Sequence, residues 1–106
     1  MLEKLLVREA KKRAEYFRNL PSYLEKMERI LREHDRGCRI YIFGSVAKNN
    51  SCLLSDIDIL IKTRLRPNFV IALLRDSGFD EPFEFHIVNE EEFELYKKLI
   101  DTIREI

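Results

Sequence analysis

Residues 1–36 show the apolar spacing of two amphipathic helices. Asn19 and Pro21 separate the two patterns. Ser22 is a suitable cap for the second helix, and Gly37 is a suitable left-handed residue after its end. The spacing by threes and fours predicts one apolar stripe along the first helix and an inner face on the second. These faces carry Leu2, Leu5, Leu6, Ala10, Ala14 and Phe17 in the first helix, and Tyr23, Leu24, Met27, Ile30 and Leu31 in the second.

After residue 37 the pattern changes to that of strands. Residues 38–43 (CRIYIF) are mostly β-branched and aromatic, which favours a short buried strand. Residues 83–88 (FEFHIV) predict another strand. Between them, the side chains of residues 56–62 (DIDILIK) alternate between isoleucine and mostly polar residues, as in a strand. This alternation predicts one face with Ile57, Ile59 and Ile61 and an opposite face with Asp56, Asp58 and Leu60.

Two further helices are predicted around the third strand. Pro67 suits the first turn of one helix, and Gly78 would close it. Asn89 is a good cap for the last helix, with Glu92 three positions on, and we expect this helix to run to about Glu105. With a short helix after the first strand, the order is α, α, β, α, β, α, β, α. It predicts an α+β domain over residues 1–106, with a helical pair (1–36), a central core (38–90) and a C-terminal helix (90–105).

The last predicted helix has apolar residues on two sides. Such a helix either presents one wide stripe to the core, or keeps its second side for self-association or a partner. One side carries Phe93, Tyr96, Ile100 and Ile103, and the other carries Leu95, Leu99 and Ile106.

Composition excludes several classes of protein. The chain has 106 residues, 45% of them apolar, and its formal net charge is zero, so disorder is not expected. It has neither the apolar run of a membrane span nor the pattern of a signal peptide, and we expect a cytoplasmic protein. The balanced charge argues against broad nucleic-acid binding. Cys38 and Cys52 lack the neighbours of a zinc site, which indicates two reduced thiols.

The segment between the first two strands carries a pattern for phosphate and metal binding. Gly44 and Ser45 leave a strand and open a helical turn, where amide and hydroxyl groups can donate to phosphate oxygens. Asp56 and Asp58 point the same way, about 7 Å apart at Cα, and such like charges repel without a cation. Mg²⁺ binds carboxylates together with phosphate oxygens, and a pair of metal ions can hold both reacting oxygens of a phosphoryl displacement.

A third acid would complete this site. Glu84 is the candidate, because it lies on the third strand and shares a face with His86 and Val88. It would bind the metal nearest the acceptor hydroxyl and help to deprotonate that hydroxyl. His86 could lie near the metal, although a lone strand histidine is more often hydrogen-bonded within the structure. Lys48 is the best candidate to neutralise phosphate; Lys62, Arg64 and Arg66 are more simply solvated charges.

These motifs resemble the DNA polymerase β-like nucleotidyltransferase superfamily, in particular its minimal nucleotidyltransferase-domain members. The resemblance covers roughly residues 38–90, and its specific element is Gly44-Ser45 followed by Ser55-Asp56-Ile57-Asp58. It implies a mixed sheet flanked by helices. It also implies a nucleotide site at Gly44, Ser45, Lys48 and Ser55, and two Mg²⁺ ions, or Mn²⁺, on Asp56, Asp58 and Glu84.

The resemblance implies an activity and a setting. The activity is transfer of a nucleoside monophosphate from an NTP, with ATP expected, to a hydroxyl. Many minimal members are antitoxins of a helical HEPN-domain partner, and some nucleotidylate a tyrosine on it. The family often has Asp where this chain has Glu84-Phe85-His86. The alternative hypothesis is therefore a catalytically weak module that neutralises a partner by contact alone.

Overall fold

The computed structural model describes residues 2–44 and 56–106. The described helices are α1 (Leu2–Arg18), α2 (Leu20–Arg32), α3 (Pro67–Asp76) and α4 (Glu90–Leu99). The described strands are β1 (Arg39–Phe43), β2 (Ile57–Lys62), β3 (Phe83–Val88) and β4 (Ile103–Glu105). The short helix predicted after β1 lies outside the described residues, as do Ser45, Lys48, Cys52 and Ser55.

The described strands form a four-stranded sheet in the order β3-β2-β1-β4. β1 is antiparallel to both β2 and β4, whereas β2 and β3 run parallel. This confirms the expected α+β class with a mixed sheet. The register places Phe43 beside Asp58, and Asp58 beside Glu84. The side chains of these three residues therefore share one face of the sheet.

The two faces of the sheet pack against different helices. Ile57, Ile59 and Ile61 are fully buried on one face, in a core that α2, α3 and the C-terminal half of α1 complete. Leu60 lies on the other face, where Phe93 of α4 packs against it in a smaller apolar cluster. The alternation predicted for β2 is confirmed. Because α4 covers only part of the second face, Asp58 and Glu84 remain accessible at the end of the sheet.

Two predicted boundaries of α2 are wrong. The cap position is Asn19 rather than Ser22, because Pro21 fits within the first turn, where a missing N–H costs no helical hydrogen bond. The helix ends at Arg32, and the positive-φ glycines among the described residues are Gly44 and Gly78. Gly37 is therefore not left-handed; its backbone N–H donates a hydrogen bond to Asp35 Oδ1 at 3.1 Å. The role predicted for Gly78 after α3 is confirmed.

The C-terminal helix predicted over 90–105 is too long. The capping box is present, since Asn89 and Glu92 each accept a hydrogen bond from the other's backbone N–H, but α4 ends at Leu99. Residues 103–105 instead form β4 and pair with β1, which satisfies backbone groups that β1 would otherwise expose at the edge of the sheet. Ile100 and Ile103 continue the helical spacing of Phe93 and Tyr96, so the pattern alone predicted a helix there.

The two sides of α4 differ in exposure. Phe93 is buried and Tyr96 half-buried on the sheet side. Leu95 and Leu99 on the other side are 58% and 82% exposed. In the described parts of the chain, the helices are too short or too polar to cross a membrane.

Candidate active site

The candidate site begins where β1 ends. Gly44 has a φ of 73°, a conformation that glycine adopts without strain. An ideal Cβ at this position would lie 2.5 Å from Oδ2 of Asp58. Any side chain at position 44 would therefore occupy the space of the Asp58 carboxylate. This close approach gives Gly44 a second role beside the turn that the sequence predicted for it.

Asp58 belongs to a cluster of three potential metal ligands. Glu84 is its direct neighbour across the parallel β2–β3 pair, and His86 lies two residues further along β3 on the same face. One ligand atom from each of Asp58, Glu84 and His86 lies within 4.8 Å of the other two. His86 Nε2 is 3.4 Å from Asp58 Oδ1.

The environment of the cluster suits a divalent cation. Glu84 is exposed, whereas the side chains of Asp58 and His86 are 25% and 27% exposed. Two carboxylates and an imidazole are a common donor set for divalent metals in proteins. Because Gly44 carries no side chain, it leaves room for the Asp58 carboxylate at the end of β1. The residues present therefore fit a divalent metal ion, without fixing which one.

His86 is the member of the cluster for which the sequence left two roles open, a place near the metal or a hydrogen bond within the structure. Its ring meets the ring of Phe43 edge-on at 4.9 Å between centroids, and Tyr96 lies at 6.3 Å on the side of α4. These contacts orient the imidazole toward Asp58. The expected hydrogen bond within the structure is present, and its partner is a predicted site residue. The shared face of positions 84 and 86 was the available signal.

The other predicted site residues are placed differently. Asp56 lies just before β2, is exposed, and is not a member of the 4.8 Å cluster. Ser45, Lys48 and Ser55 lie outside the described residues, so the phosphate-binding roles predicted for them stay predictions.

The far end of β2 carries structural charges. Lys62 is paired with Glu90 at 3.7 Å and lies over the Phe93 ring. It is four residues from Asp58, or about 13 Å along the strand. Arg64 lies beyond Lys62 and pairs with Asp35 at 3.6 Å. Lys62 is thus a largely buried, ion-paired residue rather than the solvated charge that the sequence predicted, whereas Arg64 is exposed as expected.

The buried carboxylate of Asp35 links two segments of the chain at this end of the sheet. Asp35 accepts hydrogen bonds from the Thr63 hydroxyl (2.6 Å) and from the backbone N–H groups of Arg64 (3.2 Å) and Gly37 (3.1 Å). The Thr63 hydrogen bond is the main cause that lowers the pKa of Asp35, against the opposing effect of burial. Asp35 thus ties the loop after α2 to the end of β2, which keeps the strand carrying Asp58 in place.

Clustered carboxylates can hold metal ions that also bind phosphate oxygens. Residues 25–105 match the family described as "Polymerase beta, Nucleotidyltransferase". The chain belongs to this polymerase β nucleotidyltransferase family, as the sequence motifs indicated.

Two crystal structures are similar to this fold. One is a provisionally assigned nucleotidyltransferase with 29% identity and a TM-score of 0.66; the match covers 79% of this chain and 97% of that one. The other, also a provisional nucleotidyltransferase, is from Sulfolobus solfataricus. It has 17% identity and a TM-score of 0.54 over 92% of this chain and 85% of that one, which supports the fold alone. A search among curated proteins finds no significant match.

Proposed function

We propose that this protein is a metal-dependent nucleotidyltransferase that moves a nucleoside monophosphate from an NTP, with ATP the expected donor, to a hydroxyl group. The observation that carries the proposal is the cluster of Asp58, Glu84 and His86 beside Gly44. It occurs in a chain of the nucleotidyltransferase family, at the end of the sheet where the family motif lies.

The chemistry is one displacement at phosphorus. The acceptor oxygen forms a bond to the α-phosphorus. The bond from that phosphorus to the oxygen that joins it to the β-phosphorus breaks, and pyrophosphate leaves. Bound Mg²⁺ or Mn²⁺ ions would neutralise phosphate charge and hold the reacting oxygens. Glu84 is the exposed carboxylate of the cluster, so it can reach an acceptor from solvent and take the hydroxyl proton.

The remaining roles follow the sequence motif. Asp56 shares metal binding with Asp58, since both carboxylates lie at the start of β2. Ser45, Lys48 and Ser55 bind the triphosphate beside the Gly44 turn. Gly44 leaves the space in which the Asp58 carboxylate and the nucleotide phosphates meet.

The position of α4 is relevant to the acceptor. Leu95 and Leu99 are exposed on the outer side of this helix, while Tyr96 contacts the His86 ring on the inner side. A protein bound to the outer side would be separated from the cluster by the width of one helix, about 10 Å. This supports a protein hydroxyl as the acceptor, and the resemblance to minimal nucleotidyltransferases proposes a tyrosine of a HEPN-type partner.

The same exposed side of α4 favours a second candidate function. A module that neutralises its partner by contact alone would need this surface but not the carboxylates. The variant Asp58→Asn separates the two functions, because inhibition by contact alone should survive it. Loss of inhibition in that variant would favour the transferase.

Thermal unfolding with ligands tests the site directly. The protein is melted with ATP, GTP, CTP or UTP, each with and without Mg²⁺ or Mn²⁺. A ligand at 100 times its Kd stabilises the native state by about 2.7 kcal/mol. We expect a metal-dependent rise in Tm that Asp58→Asn abolishes. The matched control Asp76→Asn removes an exposed acid at the end of α3 and should keep the rise. No rise with any nucleotide would contradict the proposed site.

Transfer is tested with labelled nucleotide. Incubation with NTP labelled on the α-phosphate and with a candidate acceptor should label the acceptor and release unlabelled pyrophosphate. The same NTP labelled on the γ-phosphate should leave the acceptor unlabelled. Labelling from the γ-phosphate instead would identify a kinase and refute the proposed reaction.

A further inference from the structure

We propose that His86 supplies a nitrogen ligand to the metal ion held by Asp58 and Glu84. The site would then take a first-row transition ion such as Mn²⁺ in preference to Mg²⁺. The inference deepens the proposed function and rests on its metal site. It adds to that site a nitrogen donor and a choice of metal, neither of which the family motif contains.

The spacing of the three residues is that of ligands sharing one ion. Ligand atoms about 2.0–2.2 Å from the same cation lie about 2.8–4.4 Å apart, depending on the angle between them. His86 Nε2 and Asp58 Oδ1 are 3.4 Å apart, and the Glu84 carboxylate lies within 4.8 Å of both. A cation between them therefore requires only small side-chain movements.

The surroundings of His86 leave its nitrogen to the cluster. The rings of Phe43 and Tyr96 meet the imidazole at steep interplanar angles, 67° and 64°. Within residues 2–44 and 56–106, Asp58 is the hydrogen-bonding partner of the His86 ring. The aromatic contacts thus fix the ring, while Nε2 points to the carboxylate that the motif assigns to the metal.

The donor set determines which ion is preferred. Mg²⁺ is a hard cation that binds oxygen and keeps much of its water, whereas imidazole is a ligand of transition metals. A neutral imidazole also attracts Mg²⁺ less strongly than a further carboxylate in its place would. Mn²⁺ accepts both carboxylate oxygen and imidazole nitrogen.

Metal binding is measured first, by calorimetry with MnCl₂ or MgCl₂ and no nucleotide. We expect the unaltered protein to bind Mn²⁺ at least tenfold more tightly than Mg²⁺. His86→Asn should weaken Mn²⁺ binding about tenfold or more and change Mg²⁺ binding less than threefold. His34 is the other histidine of the chain, exposed and stacked edge-on against Phe69, so His34→Gln is the matched control and should change neither affinity.

Pulsed EPR of bound Mn²⁺ tests the nitrogen ligand without relying on a variant. Protein labelled with ¹⁵N-histidine should show a nitrogen coupling of coordinated imidazole that differs from the ¹⁴N coupling of unlabelled protein. His34→Gln should retain this signal. Absence of the coupling in the unaltered protein, or equal loss of Mn²⁺ and Mg²⁺ binding in His86→Asn, would overturn the proposal and leave His86 as an ion-pair partner of Asp58.

The two proposals can fail separately. A histidine coupling without nucleotide-dependent stabilisation would leave the metal site standing and refute the transferase. Transfer of labelled nucleotide with no histidine coupling would support the transferase and refute the nitrogen ligand.

Discussion

Gly44→Ala tests whether the glycine turn and the Asp58 carboxylate form one structural unit. The substitution has two separable costs. The first is the positive φ of 73°, and the second is the 2.5 Å approach of the new Cβ to Asp58 Oδ2. We expect a moderate loss of stability and a complete loss of metal-dependent nucleotide binding, because the carboxylate must rotate out of the cluster.

The conformational cost is estimated from general values. A left-handed alanine costs about 1–2 kcal/mol. Replacing glycine stiffens the unfolded chain, which offsets about 0.4–1 kcal/mol. The net destabilisation from φ alone is therefore about 1 kcal/mol. Moving Asp58 from its rotamer adds about 0.5–1.5 kcal/mol, which makes about 1.5–2.5 kcal/mol in all.

Gly78 provides a matched control. The φ of Gly78 is 96°, but an added Cβ meets no atom of residues 2–44 or 56–106 within 4 Å. Gly78→Ala should therefore cost only the conformational part, about 1 kcal/mol, or about 4–8 °C in Tm, and should retain nucleotide binding. Urea unfolding gives the free energies, and thermal unfolding with nucleotide and metal gives the binding.

A double-mutant cycle isolates the contact with Asp58. In the Asp58→Ala background the nearest remaining side-chain atom to the added Cβ is the Asp58 Cβ position, at 3.7 Å. Gly44→Ala should then cost no more than Gly78→Ala, with a coupling energy of about 0.5–1.5 kcal/mol. Two results would show that the added Cβ does not displace the Asp58 carboxylate. One is nucleotide binding retained in Gly44→Ala, and the other is an equal destabilisation by Gly44→Ala with and without that carboxylate.

Three further predictions concern the scaffold. Asp35→Asn should cost about 1.5–3 kcal/mol at pH 7, because it removes the charge that strengthens the Thr63 hydrogen bond. The pKa of Asp35 is lowered from 3.8 in the folded protein, so Asp35 stabilises the fold above pH 3.8. This stabilisation is lost as the pH falls through the lower folded pKa. The free energy of unfolding in urea should therefore differ less between pH 7 and pH 3 in the variant than in the unaltered protein. Burial raises the pKa of Cys38 to about 11, so a Cys52→Ser variant should react with a thiol reagent at pH 8 only after unfolding. Asn89→Ala should cost about 1 kcal/mol in urea unfolding through loss of the capping box, and Asn89→Ser should restore most of it.

Each of these predictions has an outcome that would contradict it. If the free energy of unfolding changes between pH 7 and pH 3 by the same amount in Asp35→Asn as in the unaltered protein, other carboxylates cause the acid sensitivity. Rapid thiol modification of native Cys52→Ser protein would show that Cys38 is accessible. A neutral Asn89→Ala would mean that packing of Phe93, rather than the cap, determines where α4 begins.

Features encoded by neighbouring residues were predictable. The alternation of β2 depends only on its own residues, and it placed Ile57, Ile59 and Ile61 in the core. The capping box of α4 needs only Asn89 and Glu92. The glycine turn at Gly44 and the acidic strand with Asp58 likewise indicated the site, because each is recognisable from its own few residues.

Features that depend on distant pairing were not predictable in the same way. Residues 103–105 are a strand because the open edge of β1 offers backbone partners, although their apolar spacing also fits the preceding helix. Gly37 is not left-handed, because the chain after α2 is held by the Asp35 carboxylate, whose other partners lie on the segment after β2.

The amino-acid sequence by itself determined strands β1, β2 and β3, the faces of β2 and the acidic motif, because each depends on the period and chemistry of one short segment. Only the tertiary structure decided which ligands meet. The parallel register of β2 and β3 places Asp58 beside Glu84, and aromatic contacts from β1 and α4 turn His86 toward them. Positions 58 and 86 are far apart in the chain, and their 3.4 Å approach exists because hydrogen bonding between the strands sets the register.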